Sequence, residues 1–290
     1  MPATESSVIE RFCKPETSLT DRPDVRAVTY DLFDTDSGNA VVVALDHGLG
    51  MGAIEGFEDP GATLDAVLSG DPDGVLVGPH FARHYEERLR DVDVLVTGDV
   101  VTFSTRPGHD EGADVWTQSF DVDELLAADP VGVKVVLVFG REDERLFERN
   151  LEAVARLSRE LRGTGVPLIV EPVQWGSRVP DELATDHDYA ANACRIAWES
   201  GADVLKAPYT GDPDAFADLV DNSPVPVTVL GGPASGSTRA MLGDVAEAVA
   251  AGARGPIIGR SVWQTDDPAA VVAALGEIVH EGADVDAVWD

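Results

Sequence analysis

The chain has 290 residues, 44% of them hydrophobic, enough for a substantial core and long enough for one large barrel or two small domains. Its 53 acidic against 21 basic residues leave a formal net charge of -32, with the carboxylates spread along the chain instead of gathered in one block. Such a surface repels nucleic acid and anionic membrane, and it reads as a halophile's solvated surface, whose self-repulsion concentrated salt would relieve.

Residues 1–38 are polar and broken by Pro15, Pro23 and Gly38, with one short helical possibility over residues 7–13, and are expected to cap the remainder of the chain. Residues 40–45, AVVVAL, form an apolar β-branched run expected as a buried strand, and Asp46, His47 and Gly48 close it. The next stretch, GLGMGAIEGFEDP over residues 48–60, has too many glycines for a helix and is expected as a loop over that strand end. A helix follows over about residues 62–68.

The alternation then repeats. Strands are expected at residues 74–77, 94–97, 133–139, 167–170, 204–206, 227–230 and 256–258, and helices at 81–90, 147–161, 187–200, 238–250 and 268–280. Between the third and fourth strands lies a long irregular loop with Gly98, Pro107, Gly108 and Gly112. The helix around Phe147, Leu151, Val154, Leu157 and Leu161 has the clearest period, and Gly163 and Gly165 stop it. Eight buried strands in βαβ spacing predict a single (β/α)8 TIM barrel spanning residues 1–290, with 1–38 as an N-terminal cap segment. An open doubly wound sheet shares the alternation, but no Gly-rich dinucleotide fingerprint follows the first strand.

In such a barrel the C-terminal strand ends surround one mouth, where chemistry sits. The polar residues expected there are Asp46 and His47 from strand one, Glu171 from five, Lys206 from six, Gly231 and Gly232 from seven, and Gly259 and Arg260 from eight. The chain has three lysines, Lys14, Lys134 and Lys206. A desolvated lysine amine can attack a carbonyl to form a Schiff base, which a guanidinium cannot do. Lys206 is the expected nucleophile, with Asp46 and Glu171 placed to shuttle protons. Lys134, six residues before Gly140, is the rival and is expected towards the bottom of the barrel. His47 either orients Asp46 or is a satisfied loop histidine. Glycines after strands seven and eight let backbone N–H groups approach a phosphate, with Arg260 supplying charge. They would also serve as tight turns.

No metal-ligand spacing or nucleophilic-serine motif is present, so neither a metal nor another cofactor is expected. Cys13 and Cys194 are too few for a disulfide framework, and neither a secretory signal nor a long apolar run occurs. A cytoplasmic protein is expected.

The stretches LDHG at 45–48, LKAPYTGD at 205–212, GGP at 231–233 and GRSVWQ at 259–264 resemble the archaeal-type class I fructose-bisphosphate aldolase family, whose relatives include 2-amino-3,7-dideoxy-D-threo-hept-6-ulosonate synthase. The resemblance implies Schiff-base chemistry without metal on Lys206, acid/base work by Asp46, and a phosphate held by Gly231, Gly232, Gly259 and Arg260. It also implies a place in glycolysis or gluconeogenesis and a homo-oligomer. Tyr209, inside the second motif, is a further possible site residue. Where those relatives carry an aromatic proton donor in a segment like YPRG, this chain reads VEPVQWG, similar to tagatose-bisphosphate aldolases, whose glutamate serves in acid/base chemistry. Ala234 stands where the family often has a lysine. If Glu171 replaces the aromatic donor, burial is expected to raise its pKa. The activity expected is cleavage of a phosphorylated ketose, most simply fructose 1,6-bisphosphate to dihydroxyacetone phosphate and glyceraldehyde 3-phosphate. Hept-6-ulosonate synthesis and a non-catalytic sugar-phosphate-binding barrel are the alternatives.

Overall fold

A computed structural model describes residues 30–102, 114–183, 186–231 and 236–289. The possible helix over residues 7–13, Cys13, Lys14, Gly232 and Ala234 lie outside the described residues. The strands are β1 (Val42–Ala44), β2 (Gly74–Val77), β3 (Asp93–Thr97), β4 (Asp99–Thr102), β5 (Val115–Gln118), β6 (Gly132–Val138), β7 (Leu168–Val173), β8 (Val204–Pro208), β9 (Val227–Leu230) and β10 (Pro256–Ile258). Eight of them close a parallel barrel in the order β1-β10-β9-β8-β7-β6-β3-β2, while β4 and β5 form a separate antiparallel pair. The closure rests on β1, which pairs with β10 on one side and β2 on the other. The chain therefore folds as the expected TIM barrel.

The helices are α1 (His47–Met51), α2 (Pro60–Leu68), α3 (Pro79–His84), α4 (Val122–Leu126), α5 (Glu144–Glu160), α6 (His187–Glu199), α7 (Pro213–Asp221), α8 (Thr238–Ala250), α9 (Arg260–Trp263), α10 (Pro268–Glu281) and α11 (Val285–Val288). Side-chain carboxylates start many of them: Asp59, Asp121, Asp143, Asp186, Asp212, Asp267 and Asp284 each accept a backbone N–H of the first turn. Part of the acidic excess thus does structural work. Among the described residues no helix is long and apolar enough to cross a membrane.

Strand alternation sorts the core into layers. Outward side chains such as Val75, Val96, Val135, Leu205 and Val229 pack with Leu64, Leu157, Phe216, Leu242 and Leu275 of the helices. Inward, Val42, Leu76, Leu95, Ile169, Val204 and Ile257 fill the barrel, and Leu32 and Phe33 of the segment before β1 pack onto them. That segment is fastened from below, where Ser37 Oγ lies 2.8 Å from His280 Nδ1 and His280 Nε2 lies 2.9 Å from Asp73. Higher up, Val136, Val138 and Val173 form a small third cluster. Between these apolar layers the inward positions are polar.

Two expectations are corrected by the architecture. The glycine-rich stretch after β1 begins with a helix, the single turn α1, and Gly52 at φ 76 ends it. The loop after β3 contains the β4–β5 hairpin. A helix, α7, also fills the connection between β8 and β9, started by Asp212 and Pro213.

Candidate active site

The polar layer comes from four strands or strand ends. Lys134 Nζ lies 3.1 Å from Asp46 Oδ2 and 3.2 Å from Glu171 Oε2, and Lys206 Nζ lies 2.9 Å from Glu171 Oε1. Asp46, Lys134, Glu171 and Lys206 thus form one chain of alternating charge, with Glu171 between the two lysines. The register explains the convergence. Val136 pairs with Glu171, so Lys134 sits only two residues lower on the adjacent strand, with a side chain long enough to reach the same level. Lys134 is therefore in the mouth and not at the bottom: counting back from Gly140 neglects the stagger of tilted strands and the extension of β6 above the level of β3. Glu171 and Lys206 lie within β7 and β8, not at their ends, and both are buried.

The surrounding carboxylates act strongly on Lys134. Burial disfavours the charge of Lys134, but Asp46, Glu171 and Asp99 outweigh it and raise its pKa, so it stays an ammonium. Burial likewise opposes ionisation of Asp46, but Lys134, His47 and Lys206 bring it down to about 2. Glu171 corrects the expectation of a raised value. Burial does push it up, but Lys206 and Lys134 more than compensate, and it is held below the ordinary carboxylate range. His47 is pressed edge-on against Trp263, with ring centroids 5.4 Å apart, and its Nδ1 is 3.6 Å from Asp46. Burial lowers its pKa to about 4, so at neutral pH that contact is not an ion pair.

These residues floor a cavity of about 470 Å³ whose lining includes Arg260 and Gly231 on one side and Val100, Val101 and Trp175 on another. A Cβ at Gly231 would meet Ile258 at 2.9 Å, and one at Gly259 would meet the Ala44 carbonyl and His47 at 2.5 Å. Side chains are excluded at both positions by close packing, and of the two only Gly231 lines the cavity with Arg260. Ser261 Oγ, buried and without a hydrogen-bond partner among the described residues, is 3.2 Å from where a Gly231 Cβ would stand. Gly231, Arg260 and Ser261 together bring backbone, guanidinium and hydroxyl groups to one side of the cavity, with Gly259 packed behind them.

Tyr209 does not join the site. It packs against Phe216 and donates its hydroxyl to Glu247 on α8. Asp99, Trp175 and Ser261 line or border the cavity and were not anticipated. Ser261 lies inside the GRSVWQ motif, whereas nothing local in the sequence marks Asp99 or Trp175. Asp99 is buried, accepts from Trp116 Nε1 at 2.7 Å and from the Val136 backbone at 2.8 Å, and has its pKa raised by burial. Among the described residues no group of three or more His, Cys, Asp or Glu is arranged to hold a metal ion.

Residues 40–265 match the model of the DeoC/LacD family of aldolases, and the chain belongs to that family. It is an aldolase of that kind. It is 30% identical to an uncharacterized aldolase of Saccharolobus solfataricus, over 86% of this chain and 93% of that one. It is also 30% identical to 2-amino-3,7-dideoxy-D-threo-hept-6-ulosonate synthase of Halobacterium salinarum, over 85% and 89% respectively. An archaeal fructose-1,6-bisphosphate aldolase, solved with its catalytic lysine covalently bound to the carbinolamine intermediate, superposes with a TM-score of 0.74 at 28% identity over 86% of this chain and 96% of that one.

Proposed function

We propose that this protein is a class I aldolase that cleaves a ketose phosphate through a Schiff base on Lys206, releasing dihydroxyacetone phosphate and an aldehyde. The observation that carries the reading is Glu171 bridging the two buried lysines, 2.9 Å from Lys206 Nζ, while three carboxylates keep Lys134 charged. Lys134 is then unsuited to attack as a free amine and serves as a fixed positive charge. Glu171 stands at hydrogen-bond distance to take the proton Lys206 must lose before attack.

Lys206 Nζ adds to the ketone carbon, and the oxygen, protonated, leaves as water, with Glu171 supplying the proton and an iminium remaining. Asp46 removes the proton of the hydroxyl two carbons from the iminium carbon. The carbon–carbon bond breaks, its electrons pass into the iminium to form an enamine, and the aldehyde departs. Protonation of the enamine and addition of water release dihydroxyacetone phosphate and the amine. Arg260, Ser261 and the backbone at Gly231 and Gly259, with Gly232 added from the sequence, hold the phosphate.

Fructose 1,6-bisphosphate, the substrate named for the superposed structure, is the reference member of this substrate class and would place the enzyme in glycolysis or gluconeogenesis. The equally similar hept-6-ulosonate synthase makes the transaldolase-type reaction the second reading. The acidic composition supports a high-salt cytoplasm. A homo-oligomer of single-domain barrels, each with residues 1–38 as its cap, completes the proposal.

Borohydride in the presence of dihydroxyacetone phosphate tests it by reducing the imine to a stable secondary amine. Inactivation and the ligand's mass on the Lys206 peptide are expected, with Lys14 and Lys134 unmodified and Lys206→Arg untrapped. Label on Lys134 would reverse the roles of the two lysines. Phosphate-ester binding without any trapping would leave a sugar-phosphate-binding barrel.

A further inference from the structure

A second cavity, of about 850 Å³, opens beside the first, between the ends of β1 and β2 and helix α3. Helix α1 stands between the two: Gly50 and Met51 line the first, Gly48 lines the second, and Asp46 and Leu49 line both. The partition is slight, since α1 is a single turn that buries none of its residues and has no side-chain cap at its start. Gly48 seats this turn against the far wall, where a Cβ would stand 3.0 Å from the Phe57 ring.

The second cavity joins aromatic rings to basic groups. Phe57 stacks on Phe81 with centroids 6.3 Å apart, and Phe81 meets Tyr85 at 4.6 Å. His80, Arg83 and His84 also line it, and their spacing of three and four residues puts them on one face of α3. Arg83 Nη2 lies 3.2 Å from His80 Nδ1; a guanidinium has no acceptor, so Nδ1 accepts and the imidazole keeps a donor at Nε2. Arg83 has no ion pair among the described residues, although Glu58 lines the same cavity. Residues 74–85 contain no acid, in a chain where acidic residues outnumber basic ones 53 to 21, so this face departs from the surrounding surface in sign.

The reaction sets the direction in which the substrate runs. With its phosphate at Arg260 and its ketone carbon on Lys206, it presents to Asp46 the hydroxyl that becomes the aldehyde oxygen, and the rest of the aldehyde half continues past Asp46, the residue that the two cavities share. We infer that this half ends in an anion, a phosphate or a carboxylate, and that Arg83 receives it beyond α1 with His80 and His84 beside the guanidinium. The aromatic rings beneath them lower the local dielectric, which strengthens a charge-assisted hydrogen bond made there. The inference rests on the aldolase reading above and adds to it the residue that selects the acceptor.

The test is aldol synthesis from dihydroxyacetone phosphate with glyceraldehyde 3-phosphate, succinate semialdehyde or uncharged glyceraldehyde as acceptor, run beside borohydride trapping with dihydroxyacetone phosphate alone. The expected kcat/KM favours one of the two anionic aldehydes over glyceraldehyde by about tenfold to a hundredfold, the scale of a hydrogen bond to a charged group. Preference for glyceraldehyde 3-phosphate assigns a phosphate to the site, and preference for succinate semialdehyde a carboxylate. Arg83→Gln should lower that ratio about tenfold, and Arg83→Glu further, with trapping at Lys206 showing that both variants fold and form the Schiff base. Equal use of charged and uncharged aldehydes by the wild type, with Lys206 still trapped, overturns the inference and leaves the aldolase standing. A ratio unmoved in both variants overturns it as well. Absence of trapping in the wild type removes the aldolase reading and this one with it.

Discussion

Burial and the nearby Lys206, Arg260 and Lys134 hold His47 down to about 4 from its ordinary 6.5, against the pull of Asp46. Between those values the unfolded chain carries the proton and the folded protein does not, so stability falls as pH drops through that window. A displacement of that size is worth on the order of 3 kcal/mol. Urea unfolding at fixed salt should show His47→Asn with a flatter stability curve than wild type between pH 6.5 and about 4. Parallel curves would place the acid sensitivity elsewhere. Asp46, His47, Glu171 and Lys206 are legible at this scale because each interrupts or closes an apolar run, where a polar side chain needs a reason. Lys134 meets the same criterion, in GVKVVLV, but its height depends on strand stagger, which no single strand reveals. The ionisation of Glu171 escapes a reading of the sequence for a related reason, since its burial is foreseeable and the second lysine beside it is not.

Strand β6 has seven residues, and its partner β3 ends opposite Lys134, so the upper part of β6 has no strand on that side. Side chains take over the ladder. Asp99 accepts from Val136, and Asn150 of α5 accepts from the Val138 backbone at 3.0 Å and donates to the Val136 carbonyl at 2.6 Å. Asn150→Ala would strand two buried backbone groups, a loss of about 2–4 kcal/mol. Thermal melts should show a lower Tm for this variant, and Asn150→Asp, which keeps only the acceptor, should fall between it and wild type. A wild-type melt for Asn150→Ala would mean that these bonds are replaced by water. The long helices and most strands are readable because each carries its own period or cap. The β4–β5 hairpin is not, because two four-residue strands flanking a glycine-rich stretch leave little pattern. Helix α7 does carry a start signal, Asp212 and Pro213, but its nine residues give the period little room to show.

At the scale of the whole molecule, a formal charge of -32 sets a repulsion that folding must overcome and that counterions screen. The midpoint of thermal unfolding is expected to rise continuously from dilute buffer into molar potassium chloride. An unchanged midpoint would show that the carboxylates are already matched by local partners, as at the helix caps. The barrel is legible in the count of eight alternating strands and the lack of a dinucleotide fingerprint, whereas the order of side chains around the mouth requires the strands to be assembled. That assembly separates what can change from what cannot. The reacting charges stand on or beside barrel strands whose registers constrain one another, while Val100 and Val101 of the cavity lining stand on a hairpin inserted between β3 and β6, outside the closed sheet. Mutations at Val100 or Val101 can reshape the cavity without displacing Lys206. A lineage can therefore vary one wall of its cavity by drift in an appendage while inheriting the barrel residues unchanged.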